Sequence, residues 1–387
     1  MKRRNWFLLG IYGLVVTINV LSWYSVSFGD NIRQSVFQMT QHIQGGISSL
    51  FPFSVGEFLL ILAVLLLAGS IVLSAAGVCR KTADVFRKKN GAGKKGDRKK
   101  SGFGLLGGRY FYSLLWIIGV VSLIMSINCF ALYHCSSFQE NYMLKAERDY
   151  KTGELALVRD YVVSQCNELA EVMERDENGY IIYEADMGQR GILEMQRLGE
   201  SYPLLSGYYP TPKRFTFSGF FSQQYMMGYY FPFSMEANYN DVMYIANVPV
   251  TICHELSHVK GFIYEDDANF IGYLACTSSD DAFFRYSGYL SVLNYLDRDL
   301  FESLGRSQEA YQAYEKCSDL VERDNVFLTK EAWAEVESRA VFDTETVRQA
   351  SNGFLETNLQ VNGIEEGIAS YGDVVEQLLV YYDGILY

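Results

Sequence analysis

The stretch of sequence that decides the fold reads ICHELSHVKG and covers residues 252–261. It contains two of the four histidines in a chain of 387 residues. On an α-helix with 3.6 residues per turn, His254 and His258 lie about 40° apart around the axis, so both imidazoles can bind one tetrahedral metal ion. Glu255 lies at the edge of the same face, where its carboxylate can accept a proton from metal-bound water. The spacing predicts a helix that carries a catalytic zinc ion.

The residues on either side of this stretch fit a helix. Asn247 can cap the N-terminus, Pro249 falls in the first turn, where its missing N–H is not needed, and Gly261 suits the position after the C-terminus. Closed structural zinc sites recruit four His or Cys ligands, and the nearby cysteines form no C-x-x-C pair, so the pattern favours a catalytic site. We expect Cys253 and Cys276 to be small buried residues.

A catalytic zinc ion needs a third protein ligand, and residues 264–276 (YEDDANFIGYLAC) offer one. This segment is predicted to form a second helix, whose acidic first turn is favoured by the helix dipole. Glu265 and Asn269 are four residues apart and share a face. Glu265 can therefore bind the metal while Asn269 orients a ligand through a hydrogen bond. Asp267 is the alternative third ligand.

Several motifs resemble known families. Residues 254–276 resemble the helix pair of the gluzincin zinc metallopeptidases, in which a Glu-x-x-Ala-Asp or Glu-x-x-Ala-Asn turn follows the His-Glu-x-x-His helix and its first Glu is the third ligand. FPFSMEANYN at 231–240, HELSHVKGF at 254–262, EDDANF at 265–270 and the run 363–382 resemble the bacterial DUF3810 family of membrane proteins. The interval between His258 and Glu265 is shorter than in most gluzincins, and Tyr264 stands where metzincins have their third histidine.

These resemblances imply a zincin-like fold, zinc binding and peptidase activity. They also imply that a strand within Phe215–Asn240 lies above the histidine helix and pairs with an extended peptide or protein substrate. Peptide hydrolysis further needs a donor that stabilises the oxyanion. The sequence offers four tyrosines for this role without ranking them, namely Tyr225, Tyr229, Tyr286 and Tyr371.

Three long windows without a charged side chain lie in the first third of the chain. They run between Arg4 and Asp30, between Glu57 and Arg80, and between Arg109 and Glu140. Each can supply the roughly 20 apolar residues that a helix needs to cross a hydrocarbon core about 30 Å thick. We predict membrane-spanning helices near Trp6–Tyr24, Glu57–Val78 and Tyr112–Tyr133, which make residues 1–133 a membrane anchor. The first window is alternatively a signal peptide, because basic residues precede it.

The charge distribution predicts the orientation of these helices. Residues 1–133 carry 15 Lys and Arg against 4 Asp and Glu, whereas residues 134–387 carry 18 against 41. Most of the positive charge lies in the loop 79–110, while the loop between the first two spans has only Arg33. Because positively charged short loops stay in the cytoplasm, we expect a multi-pass protein of the cell membrane with a cytoplasmic N-terminus and an extracytoplasmic domain over residues 134–387. The lipid bilayer is then a partner, and the acidic domain disfavours nucleic acid.

The domain over residues 134–387 is predicted to contain, in sequence order, helices, a small sheet and then further helices. The helices are expected over residues 152–174, 184–198, 280–304, 308–326, 330–349 and 366–382, and a few strands between Pro203 and Tyr244. The expected fold class is α+β and mostly helical, with three N-terminal transmembrane helices followed by a zincin-like domain with an HExxH helix.

Two other functions use the same features. A zinc-binding membrane sensor or assembly protein would use the zincin scaffold without catalysis. A transporter or channel is disfavoured, because the spans have no ionisable side chain at their centres, as conduction or proton relay usually requires. The leading hypothesis is a membrane-anchored zinc metallopeptidase with Glu255 as the catalytic base.

Overall fold

The computed structural model of the protein describes residues 3–89, 102–143, 149–361 and 374–387. In these residues the chain is mostly helical, with one small sheet of three strands. Three helices are long and apolar enough to cross a membrane, namely Arg3–Tyr24, Val55–Cys79 and Gly107–His134. They coincide with the three predicted spans and indicate a membrane protein. Their apolar side chains are largely exposed, as contact with lipid requires.

The remaining described helices divide into a segment between the first two spans and a domain that follows the third. The segment consists of Val26–Ile32, Arg33–Phe37, Gln38–Thr40, Gln41–Gly45 and Gly46–Ser48, of which the second and fourth are π-helical. The second span continues to Lys89, and the third begins at Gly102 and ends in a 3₁₀ turn over Phe130–His134. The later helices are Phe138–Tyr142, Thr152–Val172, Met187–Ser201, Pro203–Leu205, Ser218–Ser222, Ile245–Asn247, Val248–Val259, Glu265–Thr277, Ala282–Ser303, Gln308–Tyr311, Asp319–Asp324, Lys330–Arg339, Thr344–Val361 and Val374–Tyr382.

Two of the helices expected from periodicity are broken in the structure. The expected helix over 308–326 appears as two short helices, because Asn167 binds the chain between them, donating to the Lys316 carbonyl and accepting from the Ser318 N–H. Ser318 then caps the second short helix. The expected helix over 330–349 is interrupted after Arg339, and Asp343 caps the helix that follows. In both cases a cap or a long-range hydrogen bond outweighs helical propensity.

The segment between the first two spans, expected as a loop, is almost entirely helical. It begins after Ser25, whose side chain caps the turn that follows. Gln41 donates to the Tyr208 carbonyl at 3.1 Å, and the Arg33 guanidinium donates to the Ser136 carbonyl at 2.8 Å. The segment is therefore packed against residues that follow the third span.

The sheet consists of β1 (Lys213–Arg214), β2 (Gly228–Phe231) and β3 (Glu236–Tyr239). Its order is β1-β3-β2, with β1 parallel and β2 antiparallel to β3. The expectation of a few strands within residues 203–244 is confirmed. Within the described chain β2 pairs with β3 alone, so its other edge bonds no strand.

The centre of the fold is Val248–Val259, which we call the histidine helix. Every residue of it except His254 is buried, as expected for a helix surrounded by other elements. It contacts β2, β3, Met187–Ser201 and Glu265–Thr277, which we call the glutamate helix. This arrangement brings the sheet, the histidine helix and the glutamate helix together around one point.

The second span is joined to the sheet by a buried ion pair. Glu236 of β3 is 0% exposed, and its carboxylate accepts hydrogen bonds from the Val55 N–H at 3.0 Å and the Gly56 N–H at 2.7 Å. Lys213 of β1 donates to the same carboxylate. The sheet thus supplies the negative charge that satisfies the first N–H groups of the spanning helix.

A second carboxylate, on the second span, accepts hydrogen bonds from the backbone that follows β1. Glu57, in the first turn of the second span, accepts hydrogen bonds from the N–H groups of Thr216 at 2.7 Å and Phe217 at 2.9 Å. We call Glu57, Lys213 and Glu236 the span–sheet junction. Its three charged groups are all buried and all paired.

Candidate metal centre

The histidine helix begins and ends where the sequence predicts. Asn247 occupies the N-cap position, but its side chain donates to the Val326 carbonyl instead of capping the helix. Pro249 lies in the first turn. Gly261 follows the C-cap with φ +88°, a left-handed conformation that glycine adopts without strain. The chain can therefore turn at Gly261 and start the glutamate helix four residues later.

His254, His258 and Glu265 converge as expected for metal ligands. The Nε2 atoms of the two histidines are 3.1 Å apart, and Glu265 Oε2 lies 3.1 Å from His254 Nε2 and 3.8 Å from His258 Nε2. Two donors held 2.0–2.1 Å from a tetrahedral zinc ion are about 3.3 Å from each other. The three separations bracket that value, so the donor set fits one zinc ion without rearrangement of the backbone.

The protonation pattern of His258 also suits a metal ligand. Its Nδ1 lies 2.7 Å from the Phe262 carbonyl oxygen, which can only accept, so Nδ1 carries a proton and Nε2 is the nitrogen that a metal ion can bind in place of a second proton. Burial lowers the pKa of His258, but the adjacent Glu265 carboxylate raises it, to about 9 overall. Burial raises the pKa of Glu265, whereas hydrogen bonds from His254 and His258 lower it, and the result lies well below its usual range. The cluster holds an anionic carboxylate that favours a cation.

Glu255 is a buried carboxylate with an unused oxygen atom. It is 5% exposed, and its Oε2 has no hydrogen-bond partner among the described residues. Burial raises its pKa to about 7, an effect that the charges of His254 and His258 partly oppose. A carboxylate with this pKa can exchange a proton with water near neutral pH.

The edge strand β2 lies directly on Glu255. A Cβ atom at Gly228 would overlap the Glu255 carboxylate, so the strand can approach this closely only at a residue without a side chain. Two residues further along the strand, the aromatic ring of Tyr230 lies 6.2 Å from the His258 ring. Sequence reasoning missed Gly228, because nothing in the local pattern links it to a residue 27 positions away.

Asp267 and Asn269 occupy different surroundings from Glu265. The Asp267 carboxylate accepts hydrogen bonds from the Phe138 N–H at 2.6 Å and from Gln377 Nε2 at 3.1 Å, so it holds neighbouring segments and stays outside the donor cluster. Burial raises its pKa to about 7. Asn269 Nδ2 is buried and has no partner among the described residues. It is free to bind a ligand, whereas Asp267 is occupied.

The four candidate tyrosines are separated by the structure. Tyr229 is on β2, and burial together with the charges of Cys129, Glu255 and Glu265 raises its pKa to about 12. Tyr286 is buried and donates to Asp324 at 2.8 Å.

Of the other two, Tyr225 is 54% exposed and its ring stacks on Phe327. Tyr371 lies outside the described residues. Only Tyr229 among the described candidates shares the electrostatic surroundings of Glu255 and Glu265.

The structure adds interactions of two tyrosines near the centre that the sequence did not indicate. Tyr295, on Ala282–Ser303, has a pKa raised by burial and by the charge of Glu265. Tyr264 donates to the Tyr133 carbonyl at the end of the third span. Both contacts join residues far apart in sequence, which no local pattern signals. Cys253 and Cys276 are buried as expected, with sulfur atoms 3.8 Å apart.

Comparisons with known proteins identify a family but no described relative. No match was found among curated proteins or among solved structures. A family described as "Protein of unknown function (DUF3810)" matches residues 33–380. This match begins after the first span and includes the second and third spans, the sheet and both ligand helices. Because it covers most of the sequence, the chain belongs to the DUF3810 family.

Proposed function

We propose that the protein is a membrane-anchored, zinc-dependent metallopeptidase that hydrolyses peptide bonds outside the cytoplasm. The observation that carries this proposal is the convergence of His254, His258 and Glu265 beside a buried Glu255 with an unpartnered oxygen. Two histidines and a carboxylate are the ligand set of several catalytic zinc sites, which keep one position open for water or substrate. The glutamate after the first histidine is then the general base.

The surroundings of the cluster favour catalysis over a purely structural metal. Side chains of His254 and Glu265 are 16% and 23% exposed, so the donor cluster can be reached from solvent. A structural site would be closed by a fourth His or Cys ligand, and the only cluster of three or more candidate ligands in the described chain contains none. A buried carboxylate with an unpartnered oxygen, such as Glu255, contributes little to stability, which favours a role in function.

Each protein group has a definite task in the proposed reaction. The chemistry that a bound zinc ion supplies is Lewis acidity, which brings the pKa of water toward 7 and polarises a carbonyl group. Glu255 accepts the proton of the attacking water and returns it to the leaving amine. The open edge of β2 pairs with the extended backbone of the peptide substrate. Tyr229 is the first candidate donor to the oxyanion.

The domain is proposed to face the outside of the cell. The basis is the excess of Lys and Arg in the loop 79–110 over the segment between the first two spans, which has only Arg33. A zincin-like architecture for the domain is supported by the order sheet, histidine helix, glutamate helix, and by an edge strand beside the helix that carries Glu255.

The proposal is tested with the full chain purified in lipid nanodiscs. We expect about one zinc ion per chain by elemental analysis, and cleavage of a degenerate peptide library that a chelator abolishes. Glu255→Gln should retain zinc and lose cleavage by about 10²–10⁴-fold, as for removal of a general base. Glu302→Gln is the control, because Glu302 is an exposed glutamate that forms a surface ion pair with Arg306.

A separate variant tests the assignment of the metal ligands. His254→Ala should remove the bound zinc, and unchanged metal content in this variant would overturn the site. Full zinc occupancy without cleavage of any library member would overturn the peptidase and favour a zinc-binding sensor or assembly protein.

A further inference from the structure

The metal centre is built directly on the membrane ends of the spans. Three successive spans cross the membrane in alternating directions, so the end of the first, the start of the second and the end of the third lie at one membrane surface. We call it the domain-side surface. Tyr264, the residue before Glu265, donates to the Tyr133 carbonyl in the last turn of the third span. The glutamate helix therefore starts at the domain-side surface.

The edge strand β2 is attached to the same surface. The Tyr230 hydroxyl donates to the Asn128 carbonyl at 3.1 Å, and the Asn128 side chain donates to the Pro232 carbonyl at 2.7 Å. Phe231 lies against Gly56, which is in the first turn of the second span. The contact is so close that a Cβ atom at Gly56 would overlap the Phe231 ring. Both spans thus hold the C-terminal end of β2.

The length of β2 sets the distance from these contacts to the catalytic carboxylate. Phe231 meets the second span, and Gly228, three residues earlier, meets Glu255. Three steps along a strand cover about 10 Å. The bond to be cleaved would therefore lie within about 10 Å of the ends of the spanning helices.

The segment between the first two spans carries an exposed apolar stripe on this side of the molecule. No charged side chain occurs between Arg33 and Glu57. One face of the segment is buried against the domain, including Phe37, Gln41 and Ser48. The stripe is 38–80% exposed and consists of Val36, Met39, Ile43, Ile47 and Leu50, which recur at helical spacing.

The bilayer is the occupant that covers this stripe. Spans are connected to both ends of the segment, so it cannot leave the domain-side surface. An amphipathic helix in that position lies in the interface with its apolar face buried roughly 5–10 Å into the headgroup and acyl-chain boundary. Exposed aromatic rings continue the surface around the start of the second span, as in the aromatic belts of membrane proteins, and they are Phe51, Phe53, Phe58, Phe217 and Phe220.

We infer that the substrates are polypeptides anchored in the same bilayer and cut close to its surface, an inference that rests on the proposed peptidase activity. A chain leaving the membrane reaches the open edge of β2 within three to four residues. A peptide free in solution must instead approach a site bordered by lipid. The anchor is a hydrophobic group, either an acyl chain or a transmembrane helix.

The test compares anchored and free forms of one degenerate dodecapeptide library with the full chain in lipid vesicles. One arm carries a C-terminal palmitoylated lysine, a second is fused to a Leu-rich transmembrane helix, and the free arm ends in acetyl-lysine. We expect at least about tenfold faster cleavage of an anchored arm, with cuts mapped by mass spectrometry within about six residues of the anchor. The two anchored arms distinguish an acyl chain from a helix.

A substitution in the stripe tests whether contact with lipid matters. The double variant Ile43→Ser, Ile47→Ser should lose most of the preference for anchored substrates while its zinc content and its rate on the free arm stay unchanged. Leu157→Ser, at an exposed leucine of Thr152–Val172, is the control and should keep the preference.

The outcomes separate this inference from the proposal on which it rests. Equal rates on free and anchored arms, or cuts without relation to the anchor, overturn the inference and leave the peptidase intact. No cleavage of any arm by zinc-loaded protein overturns the peptidase, and the inference is then rejected with it.

Discussion

The metal centre and the span–sheet junction both adjoin the same small sheet, but they differ in how their buried charges are paired. At the junction, the Glu236 carboxylate binds two backbone N–H groups and Lys213, and the Glu57 carboxylate binds two more N–H groups. At the metal centre, the equally buried Glu255 has an oxygen without a partner among the described residues. The comparison teaches that the paired carboxylates join two parts of the fold, whereas the incompletely paired Glu255 keeps an oxygen available to a ligand.

The largest expected effect follows from removing the lysine charge at the span–sheet junction. Lys213→Met leaves the buried Glu236 carboxylate without its cation, which should lower the free energy of unfolding by about 3–5 kcal/mol. At roughly 2–4 °C per kcal/mol, the melting temperature of the full chain should fall by about 10 °C, measured by intrinsic fluorescence in nanodiscs.

Two further variants check this interpretation. Adding Glu236→Gln to Lys213→Met should recover part of the loss, because no uncompensated charge then remains buried. Lys330→Met, at an exposed lysine, should change the melting temperature little. A loss that Glu236→Gln does not reduce would mean that Lys213 stabilises the fold through its hydrogen bonds to the Ser48 and Phe53 carbonyls.

The next largest effect is expected at the metal centre, where Gly228 of β2 packs against Glu255. Gly228→Ala introduces a Cβ atom into the Glu255 carboxylate, which must then move from its position beside the metal ligands. Since misplacement of a catalytic group by about 1 Å can lower rates about 10²-fold, we expect that loss in kcat/KM with zinc content retained. Gly219→Ala is the matched control, because a Cβ atom there meets no neighbour within 4 Å. Wild-type activity in Gly228→Ala would show that β2 moves independently of Glu255.

A smaller effect is expected at the other junction carboxylate. Glu57→Gln keeps one acceptor oxygen but presents an amide donor to the second N–H of the pair Thr216 and Phe217. Loss of one hydrogen bond to a charged group should lower the free energy of unfolding by about 1.5–3 kcal/mol. The melting temperature should therefore lie between those of the wild type and Lys213→Met, and a value equal to wild type would remove Glu57 from the paired set.

The smallest expected effect is the change in stability on substituting Glu255, and it tests most directly whether Glu255 differs from the paired carboxylates. Glu255→Gln should change the free energy of unfolding by less than about 0.5 kcal/mol, because the carboxylate has few partners to lose and burial already disfavours its charge. Thermal unfolding of the zinc-free protein is the measurement, so that metal affinity does not contribute. A marked loss of stability would mean that Glu255 is a structural residue like Glu236.

The two regions also differ in how far the sequence predicts them. His254, His258 and Glu265 lie within a short stretch, and helical spacing together with the turn at Gly261 was sufficient to bring them together. The three spans were predicted because their apolar length is a local property. The acidic competitor Asp267 could not be dismissed from sequence, because its partners Phe138 and Gln377 are more than 100 residues away.

The junction was not predicted, because its hydrogen bonds join residues separated by about 160–181 positions. For the same reason the segment between the first two spans was taken for a loop. Its periodicity of exposed apolar residues becomes meaningful only when the domain covers its other face. Tyr225 and Tyr286 were offered as oxyanion donors on composition alone, whereas their surroundings depend on Phe327 and Asp324.

The hydrogen bonds from Val55 and Gly56 to Glu236 can form only after a long interval in the synthesis of the chain. The second span emerges from the ribosome about 180 residues before the strand that carries Glu236. At about 5–20 residues per second, the first N–H groups of this spanning helix wait roughly 10–40 s for their acceptor. Water and lipid headgroups must satisfy them in that interval, so the span–sheet junction is completed only when the sheet has folded onto the second span.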